Sequence, residues 1–120
     1  MKIVTLLVAL GCLLISPDAP AVASIYDANV VERLQLEGVQ KQQMRKLIAE
    51  SRARRNRIFK KYGIDPNAKP EMSLLQRASS ELLANAARER AAARKILTSK
   101  QLRLYDAIIS ETRRRVMDAF

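Results

Sequence analysis

The sequence is poor in the residues on which most catalytic and metal sites depend. Its 120 residues include no histidine, no tryptophan, one cysteine and three glycines, and aromatic residues make up 4%. Without histidine the chain lacks the commonest metal ligand and the usual general base. The scarcity of aromatic residues argues against a β-sandwich or barrel. Hydrophobic residues make up 48% of the chain, which suits helices with a thin aliphatic core. We therefore expect a single all-α domain and no enzyme.

No group of residues has the spacing of a catalytic or metal site. The sequence has no serine in a glycine-rich elbow and no two carboxylates one helical turn apart, so we identify no catalytic residue. Met44, Met72 and Met117 are not at ligand spacing and are better interpreted as core or interface residues. We expect no metal site and no cofactor.

The first segment has the features of a secretory signal peptide. Lys2 precedes an apolar run, Ile3–Ile15, which is followed by a proline-containing break and the triplet Ala21-Val22-Ala23. The run is too short to span a bilayer, which needs about 20 apolar residues. We predict cleavage after Ala23 and export from the cytoplasm, with Ser24–Phe120 as one mature domain.

Two other fates of this segment are less favoured. The stretch Ala9-Leu10-Gly11-Cys12 loosely resembles a lipoprotein processing site, but apolar residues continue beyond Cys12. An uncleaved membrane anchor is less favoured still. Cleavage after Ala23 removes the single cysteine, so the mature domain has no disulfide and no thiol. Because Lys2 and Asp18 leave together, the mature domain keeps the net charge of +10.

The apolar periodicity predicts three long helices and one loop. The first helix extends from Leu36 to Tyr62. Gly63 followed by apolar Ile64 is typical of a left-handed C-terminal cap. A loop containing two prolines follows at residues 65–70. A short helical turn is expected at Tyr26–Arg33, before the first long helix.

The second and third helices have start signals of their own. Ser73-x-x-Gln76 has the spacing of a capping box, although Pro70 can also begin the second helix one turn earlier. The third helix extends from about Ser99 to the end. Three such helices cannot enclose a round core, so we predict an elongated helical hairpin of three main helices that forms a homodimer. A compact three-helix monomer is the alternative.

A short motif marks the boundary between the second and third helices, Leu97-Thr98-Ser99-Lys100-Gln101-Leu102. Thr98 is placed to accept a backbone N–H bond as N-cap, and Gln101 to bond back to the Thr98 backbone, while Leu97 and Leu102 hold the positions of a hydrophobic staple. The same register occurs at Leu36-Glu37-Gly38-Val39-Gln40. In this first copy Glu37 replaces threonine and Lys41 replaces the apolar staple residue.

The chain resembles the Spy/CpxP family of periplasmic proteins, because it is small, basic and helical and has two LTxxQ-like segments behind a signal peptide. The two segments are Leu36–Gln40 and Leu97–Gln101. The resemblance implies a long helical hairpin that dimerises in antiparallel fashion into a cradle. It also implies an ATP-independent chaperone of unfolded envelope proteins, or an accessory regulator that acts on the periplasmic domain of a stress-sensor kinase. A zinc-binding branch of the family matches poorly, because this chain has no histidine.

The first long helix carries most of the positive charge, with nine Lys and Arg residues against Glu37 and Glu50. Such a surface attracts an unfolded or acidic envelope protein by long-range charge and holds it through apolar contacts. The residues predicted to bind this client are Arg45, Leu47, Ile48, Arg52, Arg55, Ile58, Phe59, Lys60 and Lys61. Three alternatives stay open: the charges are only solvated, they bind an anionic membrane surface, or they bind nucleic acid, which export makes the least favoured.

Overall fold

The structure is a computed structural model and describes residues 21–118. Five helices make up this part of the chain: α1 (Val22–Tyr26), α2 (Val30–Arg33), α3 (Gly38–Tyr62), α4 (Met72–Ile96) and α5 (Ser99–Asp118). No β-strand occurs between residues 21 and 118, in agreement with the predicted all-α class. Most of the predicted signal peptide, with its single cysteine, and Phe120 lie outside the described residues.

Helices α3 and α4 form an antiparallel hairpin, as three contacts spaced along it show. Gln40 reaches the backbone of Ile96 at one end, Asn85 reaches Ser51 in the middle, and Lys61 pairs with Glu81 towards the loop. The two helices have 25 residues each. At a rise of about 1.5 Å per residue, the hairpin is therefore about 38 Å long.

The turn at the end of α3 confirms the predicted C-terminal cap. Gly63 adopts a left-handed conformation with φ of 72°, and its N–H donates to the carbonyl of Lys60. The N–H of Ile64 donates to the carbonyl of Phe59 at 2.8 Å, which completes a Schellman motif. The side chains of Ile64 and Phe59 are both buried in the same apolar cluster, so the cap is also fixed by packing.

The start of α4 differs from the predicted capping box. The helix begins at Met72, one residue before Ser73, and Glu71 is the N-cap residue without a side-chain cap bond. Ser73 therefore lies inside the first turn, where its hydroxyl no longer has the N-cap position from which it could accept the N–H of Gln76.

The start of α5 confirms the predicted capping box. The backbone N–H of Thr98 donates to the Gln101 side-chain oxygen at 2.9 Å, and the backbone N–H of Gln101 donates to the Thr98 hydroxyl at 3.2 Å. The chain reverses here, so that Arg90 of α4 forms an ion pair with Asp106 of α5. Further along, Glu111 of α5 pairs with Arg33 of α2, which brings α5 against the short helices.

Two separate apolar clusters form the core, one at each end of the hairpin. The first, at the α4–α5 turn, contains Met44 and Tyr105 among its most buried members, together with Leu36 and Leu97 from the two LTxxQ-like segments. The second, beside the α3–α4 loop, is built around Phe59 and includes Val22 of α1. Between the clusters the hairpin is polar, because Asn85 donates to the Ser51 carbonyl and accepts from Arg54.

The molecule is elongated rather than round. Its principal extents are 54 × 36 × 20 Å, and its radius of gyration is 17.2 Å. A compact domain of about 100 residues would have a radius of gyration of roughly 13 Å. A thin shape of this kind leaves apolar side chains without cover, and Leu83 and Met117 are 60% and 73% exposed. The dimensions agree with the expected elongated architecture.

Candidate binding groove

The two LTxxQ-like segments meet through their glutamines. The side-chain amide of Gln40 donates to the Gln101 side-chain oxygen at 2.6 Å, and the amide of Gln101 donates back to the Gln40 oxygen at 3.1 Å. Gln40 also donates to the carbonyl of Ile96 at 3.1 Å, an acceptor left over at the end of α4. The pair therefore ties the start of α3 to the α4–α5 turn and sets the angle at which α5 leaves the hairpin.

In the first LTxxQ-like segment, the residues that depart from the pattern do not cap. Glu37 is the N-cap residue of α3 and makes no side-chain cap bond, as expected from the loss of threonine. Gly38 takes a φ of 58°, a left-handed value that favours glycine. Leu36 and Leu97 are buried in the same cluster, and Leu102 packs against it.

An open groove of about 640 Å³ is lined by residues of every helix in the described chain. Helices α3 and α4 form its floor, α5 forms one wall and the α1–α2 segment forms the other. The two walls are held together by the Arg33–Glu111 ion pair and by Arg115, which donates to the carbonyl of Asp27 at 3.1 Å. The groove thus depends on the same α5 orientation that the glutamine pair fixes.

Apolar side chains that face this groove lack a covering layer within the described chain. Ile48 and Ile109 are only partly buried against the first cluster, while Leu83 on the floor and Met117 on the α5 wall are largely exposed. At about 25 cal/mol per Å² of apolar area, covering such side chains is a favourable source of binding free energy. The groove can therefore hold a flexible apolar segment without a strict shape requirement.

The charges around the groove are nearly balanced. Four arginines line it, namely Arg45, Arg52, Arg55 and Arg113, together with three carboxylates, namely Asp27, Glu32 and Glu89. The Glu89 carboxylate accepts a hydrogen bond from the buried Tyr105 hydroxyl, and burial together with Glu89 raises the pKa of Tyr105. The positive excess of the groove is thus small, although the chain as a whole carries +10.

Arg55 is the most constrained of these arginines. Its guanidinium lies 5.2 Å from the centre of the Tyr26 ring, a cation–π arrangement. Tyr26 in turn packs edge-on against Phe59 with ring centres 5.6 Å apart. Burial and the neighbouring Arg52 lower the pKa of Arg55, and its Nε atom is buried without a hydrogen-bond acceptor among the described residues. Arg55 therefore brings a partly buried positive charge to the lining of the groove.

The structure divides the nine residues predicted to bind a client into groups. Arg45, Ile48, Arg52 and Arg55 line the groove; Ile58 and Lys61 line a second hollow; and Lys60 is exposed and lines neither. Leu47 and Phe59 belong instead to the two core clusters, which corrects their expected place on the surface. Val30 and Val31 of α2 share the first cluster with Leu47, and Val22 of α1 shares the second cluster with Phe59.

The second hollow, of about 400 Å³, lies between α3 and α4. Its cations are Arg54, Arg57, Lys61 and Arg88, and its one carboxylate, Glu81, pairs with Lys61 at 3.0 Å. The neighbouring Tyr62 hydroxyl and the hydrogen bond from Lys61 lower the pKa of Glu81, which keeps this carboxylate ionised. Part of the charge of the basic helix is therefore directed to this hollow and not to the groove.

The groove also uses residues that sequence reasoning did not identify. Leu83 and Met117 lie on α4 and α5, whereas the expected binding surface was confined to the first long helix. Helical periodicity predicts the apolar face of each helix, but it does not predict the angle between α5 and the hairpin. That angle determines which helix faces line the groove together. The glutamine pair, Gln40 with Gln101, was the available signal, since it repeats in the motif register.

Neither a metal site nor a membrane span is found in the described chain. Residues 21–118 hold no group of three or more His, Cys, Asp or Glu side chains placed to bind a metal ion. No helix in the same range has the length and apolarity to cross a bilayer.

Comparisons with models of protein families, with curated proteins and with solved structures each find no match.

Proposed function

We propose that this protein is an exported, ATP-independent chaperone-like protein that holds unfolded or stress-exposed envelope polypeptides in the groove. The observation that carries the proposal is the groove itself, where exposed apolar side chains such as Leu83 and Met117 stand beside the arginines of α3. Long flexible arginine stems cover apolar surface without fixing it, so a bound chain keeps room to fold. Binding and release then need no energy source.

The Spy/CpxP-like arrangement of the two motifs supports this proposal. Gln40 and Gln101 hold equivalent positions in the two segments and bond to each other, and Leu36 and Leu97, again equivalent, share one cluster. We propose on this basis that the chain is a Spy/CpxP-like periplasmic protein. We also propose an antiparallel homodimer with a cradle shape, because a thin molecule buries little of its own surface. The apolar side chain of Met72 is exposed outside the groove and is available for such a contact.

An aggregation assay with paired variants tests the groove. Leu83→Ser removes an exposed leucine from the groove, and Leu104→Ser removes one that is 49% exposed and does not line it. Without ATP, the unchanged protein should suppress aggregation of an unfolded client near stoichiometric ratio, and Leu83→Ser should need several-fold more protein. Leu104→Ser should act like the unchanged protein. Equal activity of all three at equal melting temperature would contradict the groove as the client site.

A second pair of variants tests the charge. Arg52→Gln and Lys60→Gln each remove one exposed cation from α3, but only Arg52 lines the groove. Net charge falls by the same amount in both proteins, so a purely global charge effect predicts the same loss of client binding. The proposal predicts weaker binding for Arg52→Gln alone, measured by fluorescence anisotropy of a labelled unfolded client.

A dedicated regulator is the second candidate, and the second hollow favours it. Arg57 and Arg88 are exposed there, and of the four cations that line the hollow only Lys61 forms an ion pair with a carboxylate of the described residues. Such a surface suits an acidic patch on one folded partner, for instance a periplasmic sensor domain. Loss of partner binding in Arg88→Gln, with client protection intact, would support the regulator, whereas protection of unrelated clients supports the chaperone.

A further inference from the structure

The first residues that the structure describes are anchored on the α3–α4 loop. Val22 is 1% exposed and is one of the most buried side chains of the second cluster, beside Phe59 and Ile64. The backbone N–H of Val22 donates to the carbonyl of Ala68 at 2.9 Å, and that of Ala23 donates to the carbonyl of Pro66 at 2.9 Å. Helix α1 is therefore attached to the loop through its first two residues.

Cleavage after Ala23 would cut through this attachment. It would remove the Val22 side chain from the second cluster and both hydrogen bonds to the loop. A cavity left by a lost buried aliphatic side chain is destabilising, since the surroundings relax only in part. Of the α1 residues that would remain, only Tyr26 packs against the second cluster.

The sequence contains a second Ala-x-Ala triplet two residues earlier, Ala19-Pro20-Ala21. It satisfies the same requirement for small residues before the cut, and it lies closer to the end of the apolar run. Cleavage after Ala21 costs little in the folded domain. It removes only the carbonyl that accepts from the N–H groups of Ser24 and Ile25, and donors in the first turn of a helix normally lack a partner within the helix.

We infer that the signal peptide is cleaved after Ala21, so that the mature chain begins at Val22 and its new amino terminus docks on the loop carbonyl of Ala68. This inference rests on the export that is part of the proposed function. Retention of Val22 also bears on the groove. Tyr26, the last residue of α1, packs against Phe59 and lies under the Arg55 guanidinium. Attachment of α1 to the loop through Val22 therefore helps to hold this wall of the groove in place.

The decisive measurement is the intact mass of the protein recovered from the periplasm after expression of the full chain. A mature chain that begins at Val22 is the expected result. A chain that begins at Ser24, one that begins with a lipid on Cys12, or an unprocessed chain would each overturn the inference. The measurement is independent of chaperone activity, so a protein that begins at Val22 but protects no client contradicts only the proposed function.

Two substitutions test the inference through their effect on cleavage of the signal peptide. Ala23→Gln places a large residue directly before the alternative cut, on a side chain that is exposed in α1. Processing of this variant should be unchanged and should still yield Val22 as the first residue, whereas cleavage after Ala23 predicts that the precursor accumulates. The matched variant Ala19→Gln should block or displace cleavage, because Ala19 belongs only to the first triplet, where small residues are required before the cut.

A stability measurement provides an independent readout. Val22→Ala should lower the melting temperature of the mature protein by at least about 4 °C if Val22 remains in the chain. The same substitution has no effect on the mature protein if cleavage after Ala23 has already removed it. Val39→Ala serves as the control, since Val39 is 69% exposed. Its truncation should leave the melting temperature nearly unchanged.

Discussion

At the scale of single residues, the pair formed by Gln40 and Gln101 carries the most information. Each side-chain amide has a donor and an acceptor group. The two bond reciprocally, while the Gln101 oxygen also accepts from the Thr98 backbone. One side chain therefore serves the α5 cap and the link to α3 at once. Its position cannot be exchanged for an apolar residue without leaving partly buried polar groups unpaired.

A double-mutant cycle should reveal this coupling. Gln40→Ala and Gln101→Ala should each lower the free energy of unfolding, by about 1 and about 2 kcal/mol, because Gln101 also loses its cap bond. The double variant should be less destabilised than the sum of the two, by about 1 kcal/mol. Denaturant unfolding of all four proteins gives the cycle.

The control for this cycle is Gln42, a glutamine that is exposed on the same helix as Gln40. Gln42→Ala should leave the stability unchanged within about 0.5 kcal/mol, and it should combine additively with Gln101→Ala. Strict additivity of Gln40→Ala with Gln101→Ala would show that the two LTxxQ-like segments do not meet in solution.

At the scale of helices, α5 is held partly by ion pairs that respond to acid. A hydrogen bond from Arg90 lowers the pKa of Asp106, and a hydrogen bond from Arg33 lowers the pKa of Glu111. Both pKa values are lower in the folded chain than in the unfolded one, where such carboxyl groups titrate near about pH 4. The stability that these pairs contribute is therefore fully present above that pH. It is lost as the pH falls through the folded values.

Acidification should therefore loosen α5 before it unfolds the hairpin. We expect the melting temperature to fall between about pH 5 and about pH 3, and Asp106→Asn to reduce the steepness of that fall. Both side chains are more than two-fifths exposed, so the effect is modest. Glu50→Gln, at an exposed position, is the control and should not change the steepness. An identical pH profile for Asp106→Asn would contradict a role for the Arg90 pair.

The sequence predicts the helix ends that depend on adjacent residues, but not the contacts that depend on distant ones. The cap at Gly63 and the capping box of Thr98 with Gln101 are local, since a few adjacent residues specify each of them, and both predictions are confirmed. The capping box expected at Ser73 is wrong, because Met72 begins the helix one residue earlier. The pairing of Gln40 with Gln101 joins distant parts of the chain, and only tertiary packing brings them together.

The same distinction explains the mixed outcome at the candidate site. The sequence predicts an apolar and basic surface on the first long helix, and four of its nine residues do line the groove, among them Arg52 and Ile48. The short helices could not be weighed from periodicity, because four or five residues hold little more than one turn. Once α1 and α2 are in place, Phe59 and Leu47 are buried in the core clusters, so these residues are part of the core and not of the exposed surface.

At the scale of the whole molecule, long-range charge and local contact have separate locations. The net charge of +10 acts at a distance, but the lining of the groove has four arginines against three carboxylates. Electrostatic attraction of this kind raises the rate of encounter more than it strengthens the final complex. Under the proposed function, apolar contacts with Leu83 and Met117 then determine how long a client stays, because they act only after the client has entered.

Stopped-flow kinetics with a fluorescent, acidic unfolded client should separate the two effects. Raising the salt concentration from about 0.1 to about 1 M shortens the screening length from about 10 Å to about 3 Å. The association rate should therefore fall several-fold, while the dissociation rate stays nearly constant. Leu83→Ser should show the opposite behaviour, with an unchanged association rate and faster dissociation. A dissociation rate that rises steeply with salt would mean that ion pairs hold the client, and the basic hollow with Arg57 and Arg88 would then replace the groove as the contact surface.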